Sequence, residues 1–412
     1  MKLLKRICCR SIQLGLRCAL PVLPYRLPVR LPEIQALPKA LLEESVRTVL
    51  LITDGGIRRQ GLTAPLEAVL RDNQIRCLVY DKTVANPTSA NVEEARELYL
   101  REGCQAIIGF GGGSSMDCAK GVGARIAKPH QPLAKMEGVL RVHHRLPPII
   151  AIPTTAGTGS EVTLAAVITD SQTHHKYAIT DFCLIPRYAV HDPELTRSLP
   201  KGLTATTALD ALTHAVEAFI GRSTTRETRA DAIQAVRLIF ENLDAAYTDG
   251  NNMTARRNLL TAAYLAGNAF SKSYVGYVHA IAHSLSGKYN LPHGYTNAVL
   301  LPWVLEAYGD TIHKKLAVLA VAAGAAREDT PTAQAAQAFI GAIRNLNRRY
   351  QIPMYFREIQ PEDIPELAKT ADHEANPLYP VPVLMDAMQL QSLYETVTKK
   401  RSVNRHIEEV SA

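Results

Sequence analysis

Between about residue 35 and residue 200, short apolar runs alternate with segments whose composition is typical of amphipathic helices. VRTVLLITD (46–54) and QAIIGFGGG (105–113) end in polar or glycine-rich turns, and NVEEARELYLREG (91–103) lies between them. Strands that alternate with helices in this way form βαβ units, which build a mostly parallel sheet. The pattern therefore predicts a Rossmann-like α/β architecture for this part of the chain.

Two further features extend this prediction to the domain organisation. AAVITD (165–170) and KYAIT (176–180) are closely spaced, which predicts a hairpin attached to the parallel sheet. After LTRSLP, Ala-rich helical periodicity replaces the strand-like runs, as in TATTALDALTHAVEAFIG (204–221). We therefore predict three parts, listed here by residue number: a basic N-terminal extension over 1–34, an α/β dinucleotide-binding domain over 35–199 and an all-α domain over 200–412.

Composition restricts the function classes. The chain has 412 residues, enough for two domains with a substantial core. Its net charge is +7, but the Lys and Arg residues are scattered and no basic block is interleaved with aromatic residues, so we expect no nucleic-acid partner. The seven cysteines include no CxxC pair, which indicates a reduced, cytoplasmic protein without thiolate metal sites.

The first thirty residues differ from the rest because they are basic and apolar and contain no Asp or Glu. Arg10, Arg17 and Pro21 interrupt the apolar stretches, so no secretory core or membrane span is predicted. Three interpretations remain for this segment: a docked helix or arm, a peripheral contact with a membrane surface, and a targeting peptide. No membrane partner is expected for the remainder of the chain.

A glycine-rich loop follows one predicted strand in IIGFGGGSSMDCAK (107–120). Glycines allow a pyrophosphate to approach the backbone closely, and the N-terminus of the next helix offers free N–H groups. The loop matches neither GxGxxG, because Ser114 replaces the third glycine, nor GxxxxGK[ST], because Met116 replaces the second glycine. Phosphate binding and a tight structural turn both remain possible interpretations of this loop.

A second polar loop, IPTTAGTGSEVT (152–163), also follows a predicted strand. Open α/β sheets bind ligands at the carboxyl ends of their strands, so two such loops predict one shared crevice, although a Ser/Thr-rich turn is the alternative. Asp54 ends the first strand, where a carboxylate can accept hydrogen bonds from ribose and repel a 2′-phosphate. That placement favours NAD over NADP, but Asp is also a common turn residue.

Five side chains in the helical region have spacings that suit a metal ion. Asp210 and His214 are four residues apart, as are His279 and His283, and His293 follows in PHG. Residues four apart share one helix face, and one carboxylate with imidazoles suits Zn²⁺ or Fe²⁺. The alternatives are surface pairs or satisfied core histidines. Spacing does not decide which four of the five coordinate, nor whether the nearby Glu217 takes part.

Together, GGGSSMD, PTTAGTGSEVT, DALTHAVEA and HAIAHSLSGKYNLPHG closely resemble the iron-containing (group III) alcohol dehydrogenases of the dehydroquinate synthase-like superfamily. The resemblance extends from about residue 35 to the C-terminus. It implies an α/β domain paired with an all-α domain, with NAD and Fe²⁺ (alternatively Zn²⁺) as cofactors. Ser115, Ala208 and Ser286 depart from the family pattern, but each is a small residue in place of another.

The resemblance also implies roles for individual residues. The metal ligands are Asp210, His214, His279 and His293, and His283 is a non-ligand histidine near the nicotinamide that passes on the hydroxyl proton. The residues implied in NAD binding lie in the α/β domain and are Asp54, Asn86, Gly112, Gly113, Ser114, Asp117, Thr154, Thr155, Thr158 and Lys176.

The predicted reaction is a reversible hydride transfer between NAD and a small primary or secondary alcohol, a diol or a hydroxy acid. Its partners are thus an alcohol or aldehyde substrate, and we expect a homo-oligomer, with a dimer as the first expectation. Two other function classes remain open. One is a metal- and NAD-assisted lyase of the dehydroquinate synthase type, although no array of basic residues lies near 276–294. The other is a non-catalytic binding protein.

Overall fold

The computed structural model describes Met1 and residues 3–398. Its strands are β1 (Val29–Leu31), β2 (Thr48–Asp54), β3 (Arg76–Thr83), β4 (Ala106–Gly111), β5 (Gly138–Val139), β6 (Ile149–Pro153), β7 (Ala165–Thr169), β8 (Lys176–Thr180) and β9 (Tyr188–Val190). Its helices are α1 (Leu3–Ala19), α2 (Leu37–Glu43), α3 (Gly55–Arg59), α4 (Ala64–Asp72), α5 (Ser89–Arg101), α6 (Gly113–Ala127), α7 (Lys201–Ile220), α8 (Arg226–Thr248), α9 (Met253–Ser273), α10 (Tyr277–Tyr289), α11 (His293–Tyr308), α12 (His313–Ala322), α13 (Thr332–Arg349), α14 (Ile364–Ala375) and α15 (Ala387–Thr398).

Six of these strands form one sheet in the order β1-β9-β6-β4-β2-β3. Every pairing within it is parallel. The central strands read as continuous apolar runs because helices cover both faces, and Val49, Leu50, Leu51 and Ile52 of β2 are fully buried. The predicted Rossmann-like domain with a mostly parallel sheet is therefore confirmed, and in the described chain only helices follow residue 200.

The predicted hairpin forms, but its attachment was predicted wrongly. β7 and β8 pair antiparallel, and β8 then pairs with the two-residue strand β5 in a separate three-stranded sheet. The hairpin contacts the parallel sheet through packing, because Ile168 and Ile179 share a buried cluster with Leu50 and Ile107. β8 thus pairs with β5 on one edge and β7 on the other, and neither hairpin strand is a strand of the parallel sheet.

Contacts between Cα atoms divide the chain into two compact units. One unit contains residues 1–23, 202–244 and the chain from residue 272 onward. The other contains residues 24–201 and 245–271, so part of the helical sequence belongs with the parallel sheet. The predicted boundaries near residues 34 and 200 stay a prediction, and residues 399–412 of the predicted helical domain lie outside the described residues.

The N-terminal segment folds as α1 against residues 372–386 of its own unit. Arg10 donates to the carbonyl oxygens of Val381 (2.7 Å) and Pro382 (2.9 Å), and Gln13 Nε2 donates to that of Tyr379 (2.7 Å). Of the three interpretations of this segment, a docked helix is the one that the structure shows. Within the described residues, no helix combines the length and the apolar character required to cross a membrane.

Candidate functional site

Three helices of the helical unit bring four predicted metal ligands together. Asp210 and His214 lie on α7, His279 lies on α10 and His293 is the first residue of α11. One ligand atom from each of the four lies within 4.8 Å of the others. His283, the fifth candidate, is not a member of this cluster. The four side chains therefore form a group that could hold an ion, and their assignment as ligands stays a prediction.

Local sequence explains how His293 reaches the cluster. Asn290 ends α10 in the left-handed conformation with φ of 53°, and Pro292 precedes the first residue of α11. The neighbouring Gly294 packs directly on α7, since a Cβ there would lie 2.6 Å from the carbonyl oxygen of Thr206. Only glycine permits this approach, and the close contact holds the start of α11 beside Asp210.

The donor set fits a divalent ion. His293 Nε2 lies 3.6 Å from Asp210 Oδ1, and two ligands of a tetrahedral ion with bonds of about 2.1 Å are about 3.4 Å apart. Asp210, His214 and His279 are buried, so the atoms are shielded from water. Burial, reinforced by the neighbouring imidazoles, holds the pKa of His279 well below its ordinary value. A neutral imidazole has the lone pair that a metal ligand needs.

Glu217 contacts one of the four clustered side chains, His279. Its carboxylate is buried and accepts hydrogen bonds from the backbone N–H groups of Gly276 and Val278, both at 2.8 Å. Its Oε2 also lies 2.6 Å from Nδ1 of His279. Burial raises the pKa of Glu217, whereas the two backbone donors oppose that rise. Glu217 thus contacts Nδ1 of His279, and Nε2 is the nitrogen that faces Asn297 and the other clustered side chains.

Asn297 is a second supporting residue, and the sequence analysis missed it. Its side chain is fully buried, and Nδ2 lies 2.7 Å from Asp210 Oδ1. The same nitrogen lies 3.2 Å from His279 Nε2 and 3.1 Å from His293 Nε2. Asn297 follows His293 by four residues on α11, so a search of the helix face next to each candidate ligand would have found it.

His283 has a different environment from the four clustered side chains. Its Nδ1 lies 2.6 Å from Glu374 Oε1, which also accepts a hydrogen bond from the Tyr379 hydroxyl at 2.8 Å. The His283 ring stacks on the His293 ring, with 5.1 Å between the ring centroids, and the side chain is half-buried. His283 is therefore adjacent to the ligand cluster, and the carboxylate of Glu374 orients its ring.

In the other unit, the two predicted cofactor loops lie side by side. Strands β4 and β6 are neighbours in the sheet, and the backbone N–H of Thr154 donates to the carbonyl oxygen of Gly111 at 3.0 Å. A Cβ on Gly113 would lie 2.9 Å from Thr158 Cγ2, so the glycine allows the loops to touch. Gly112 precedes the first turn of α6, whose free N–H groups provide an anion-binding end.

Three more of the predicted residues meet beside this crevice. The side-chain oxygen of Asn86 accepts a hydrogen bond from Lys176 Nζ at 2.8 Å, and the backbone N–H of Asn86 donates to Ser114 Oγ at 3.3 Å. Asn86 adopts a left-handed conformation with φ of 58°, which Asn tolerates better than most residues. The structure thus connects residues from three distant parts of the sequence.

Two more of the predicted cofactor residues, Asp54 and Asp117, also have structural partners, and Thr155 lies beside Gly112, where a Cβ would be 3.5 Å from Thr155 Oγ1. Oδ1 of Asp54 accepts hydrogen bonds from the N–H groups of Gly56 (2.8 Å) and Ile57 (2.9 Å), and so caps α3. Asp117 accepts from Ser160 Oγ at 2.7 Å and from the N–H of Val167 at 3.1 Å. Direct contacts of all the predicted cofactor residues with NAD stay predictions.

Lys120, which the sequence analysis did not single out, is fully buried behind the second loop. Its ammonium group donates to Ser160 Oγ (3.0 Å), Thr163 Oγ1 (2.9 Å) and the carbonyl oxygen of Ala165 (2.8 Å). Burial lowers the pKa of Lys120 to about 8. A single side chain thus joins the end of the 152–163 loop to the start of β7.

Comparison with known proteins agrees with this arrangement. The family model for iron-containing alcohol dehydrogenases matches residues 31–193, and the model for the C-terminal part of the Fe-containing alcohol dehydrogenase family matches residues 204–398. The 1,3-propanediol dehydrogenase of Citrobacter freundii is 40% identical over 335 residues, covering 80% of this chain and 86% of that protein. Alcohol dehydrogenase 4 of Saccharomyces cerevisiae is 39% identical over 333 residues, covering 80% of this chain and 85% of that protein.

Solved structures give the same result. A crystal structure of 1,3-propanediol oxidoreductase has a TM-score of 0.87 and 35% identity, and the match covers 90% of this chain and 99% of that one. Sulfoacetaldehyde reductase from Bifidobacterium kashiwanohense, in complex with NAD⁺, has a TM-score of 0.80 and 26% identity, with coverage of 90% and 98%. The predicted family and enzyme class are thereby confirmed, and the chain belongs to the iron-containing alcohol dehydrogenase family.

Proposed function

We propose that this protein transfers a hydride reversibly between NAD and a small primary alcohol or diol, forming the corresponding aldehyde. The observation that carries the proposal is the cluster of one carboxylate and three imidazoles within 4.8 Å, of which all but His293 are buried. The substrate class is supported by relatives that are named 1,3-propanediol, alcohol and NAD-dependent methanol dehydrogenases. Among these substrates, a short diol is the first to test because the propanediol enzyme shares 40% identity.

The cluster would hold iron, with zinc as the alternative ion, through Asp210, His214, His279 and His293. When bound, such an ion supplies Lewis acidity towards the alcohol oxygen. The protein's contribution is to orient the donors: Glu217 fixes the tautomer of His279, and Asn297 hydrogen-bonds to Asp210.

We propose that His283 accepts the hydroxyl proton of the alcohol. Glu374 holds Nδ1 of this histidine, so Nε2 is the atom that accepts a proton from the alcohol and returns it in the reverse direction. The ordinary pKa of histidine lies close to neutrality, which suits a group that takes up and releases one proton in each turnover.

In the cofactor loops, we assign the backbone N–H groups around Gly112, Gly113 and Ser114 to the pyrophosphate of NAD. The hydroxyl groups of Thr154, Thr155 and Thr158 lie in the neighbouring loop and supply further donors. Asn86 and Lys176, already joined to each other by a hydrogen bond, would contact the ribose. Asp54 would favour NAD over NADP, and Asp117 would support the loop from behind.

The test is NADH absorbance during incubation of the Fe²⁺- or Zn²⁺-loaded protein with aliphatic alcohols, diols and hydroxy acids. We expect metal-dependent NADH formation, which a lyase of the dehydroquinate synthase type would not produce. A non-catalytic binding protein would show no turnover at all. If no compound in the series gave metal-dependent turnover, the proposal would be wrong.

A cytoplasmic location and a homo-oligomeric state, with a dimer as the first expectation, belong to the same proposal. All seven cysteines are free, which supports a reducing compartment. Sedimentation velocity of the metal-loaded protein measures the oligomeric state directly.

A further inference from the structure

Helix α1 buries only Cys9 and Gln13 fully and leaves most of its large apolar side chains exposed. Gln13 is buried and hydrogen-bonded to the carbonyl oxygens of Pro377 and Tyr379. Leu3 (73% exposed), Leu4 (79%), Ile7 (54%) and Leu14 (59%) are exposed, and we call these four residues the outer stripe. A helix of a soluble protein normally turns its apolar face inward, so this exposure requires an explanation.

The outer stripe is part of a local concentration of exposed apolar side chains. Of the 17 large hydrophobic residues exposed in the described chain, six lie between residues 1 and 22. Leu3, Ile7 and Leu14 are separated by four and seven residues, which places them on one helix face, and Leu4 lies beside them. Contiguous exposed apolar surface of this kind marks an interaction site.

Charge is also concentrated in this segment. Residues 1–30 contain seven Lys and Arg and no Asp or Glu, whereas the other 39 Lys and Arg are matched by 39 Asp and Glu. The entire net charge of +7 therefore resides in the first thirty residues. Arg6 and Arg17 are exposed on α1 and flank the outer stripe.

The helix is fastened to the protein by contacts that leave the outer stripe uncovered. Arg10 binds two carbonyl oxygens of residues 381 and 382, and Lys5 forms an ion pair with Asp372 at 2.8 Å. Neither family model includes this segment, because the first matched residue is residue 31.

We propose that α1 docks this protein on the surface of an anionic lipid bilayer. Leucine and isoleucine side chains of the outer stripe would enter the boundary between headgroups and acyl chains, and the flanking arginines would bind lipid phosphates and carboxylates. A second copy of the chain is a poorer occupant, because it would bring two further exposed arginines, its own Arg6 and Arg17, to a contact that already contains two. The contact is peripheral.

The experiment is co-sedimentation of the full chain with vesicles. Wild-type protein is expected to pellet with phosphatidylcholine vesicles that contain roughly one-third phosphatidylglycerol, and to remain in the supernatant with pure phosphatidylcholine. The Leu4→Glu/Ile7→Glu variant should bind the anionic vesicles at least about tenfold more weakly. Arg6→Gln/Arg17→Gln should weaken binding less and reduce its sensitivity to salt.

Met388→Glu is the matched control, since Met388 on α15 is 79% exposed, as is Leu4. It should bind vesicles like the wild type. NADH formation should be unchanged in all these variants, which shows that each is folded. Equal vesicle binding by wild type and the Leu4→Glu/Ile7→Glu variant would overturn the proposal. So would self-association of the wild type that this variant abolishes, because the stripe would then be an interface between copies.

Discussion

The proposed metal-ligand cluster and the cofactor loops both lie at the ends or faces of regular elements, but they consist of different kinds of residue. The cluster takes ionisable side chains from α7, α10 and α11, and three of the four are buried. The loops after β4 and β6 consist largely of glycines and small hydroxyl residues, whose contribution is backbone and space. The function of the cluster therefore depends on the chemical identity of its side chains, whereas that of the cofactor loops depends on their side chains being small.

This difference predicts two kinds of failure. Removal of a ligand from the cluster eliminates a bond to the ion, which no neighbouring side chain replaces. Addition of a methyl group to a loop glycine leaves every donor in place but forces neighbouring atoms apart. The first kind of change should abolish metal binding, and the second should weaken cofactor binding in proportion to the steric overlap.

The largest expected effect is that of the His279→Ala/His293→Ala double variant. It removes two of the four proposed ligands, so bound metal per chain, measured by elemental analysis, should fall close to zero. NADH formation should fall by at least about 10³-fold, because activation of the alcohol oxygen by the ion is lost.

His175→Ala provides the control for that experiment. His175 Nε2 pairs with Glu137 at 3.0 Å, but the side chain is exposed and belongs to the other unit. Metal content and turnover should equal those of the wild type. Full metal occupancy in the His279→Ala/His293→Ala variant would show that the cluster is not the metal site.

The next largest effect is expected from a change in Glu217, which contacts the proposed ligand His279. Glu217→Gln keeps the size of the side chain but places an amide NH₂ where Oε1 or Oε2 accepts a hydrogen bond. Loss of such a partner should weaken metal affinity by about 10–100-fold, measured by competition with a chromogenic chelator.

Glu374→Gln makes the same change beside His283 and should alter turnover without altering metal affinity. A purely structural Glu217 would lower the melting temperature of the metal-free protein and leave metal affinity unchanged.

Local sequence spacing predicted part of the ligand cluster and could not predict the rest. Asp210 and His214 were predictable because both lie on one face of α7. His279 and His283 have the same spacing on α10, so periodicity treats them alike. The structure separates them by their partners Glu217 and Glu374, which are 62 and 91 residues away in sequence. Contacts at that distance depend on tertiary packing, which no local pattern encodes.

The parallel sheet was more predictable than the small sheet for a related reason. Strands such as β2 and β4 are long apolar runs, and their burial on both faces leaves a clear sequence signal. β5 contains only Gly138 and Val139, too few residues for any periodicity. One edge of β8 pairs with β5. Since the sequence pattern could not predict β5, it could not predict the sheet to which the hairpin belongs.

The loop glycines provide a graded test of the steric interpretation. A Cβ on Gly113 would lie 2.9 Å from Thr158 Cγ2, whereas a Cβ on Gly112 would meet its nearest atom, Thr155 Oγ1, at an ordinary 3.5 Å. Gly113→Ala should therefore raise the KM for NAD⁺ about tenfold, and Gly112→Ala should change it by less than about twofold. Metal content should not change in either variant.

Removal of the clashing atom should restore cofactor binding. Thr158→Ser deletes Cγ2, so the KM for NAD⁺ of the Gly113→Ala/Thr158→Ser variant should approach that of Thr158→Ser alone. An equal KM in Gly113→Ala and wild type would mean that this contact does not shape the cofactor crevice.

The smallest expected effect separates two roles of Asp54. Its Oδ1 accepts the N–H groups of Gly56 and Ile57, and an asparagine oxygen can do the same. Asp54→Asn should therefore preserve α3 but remove the negative charge, raising the ratio of kcat/KM for NADP⁺ to that for NAD⁺ by about fivefold. Asp54→Ala should relax cofactor choice similarly and also destabilise the protein by about 1 kcal/mol, because the cap is lost. If the ratio stayed constant in the Asn variant while the Ala variant lost stability, Asp54 would serve helix capping alone, and cofactor choice would reside elsewhere in the loops.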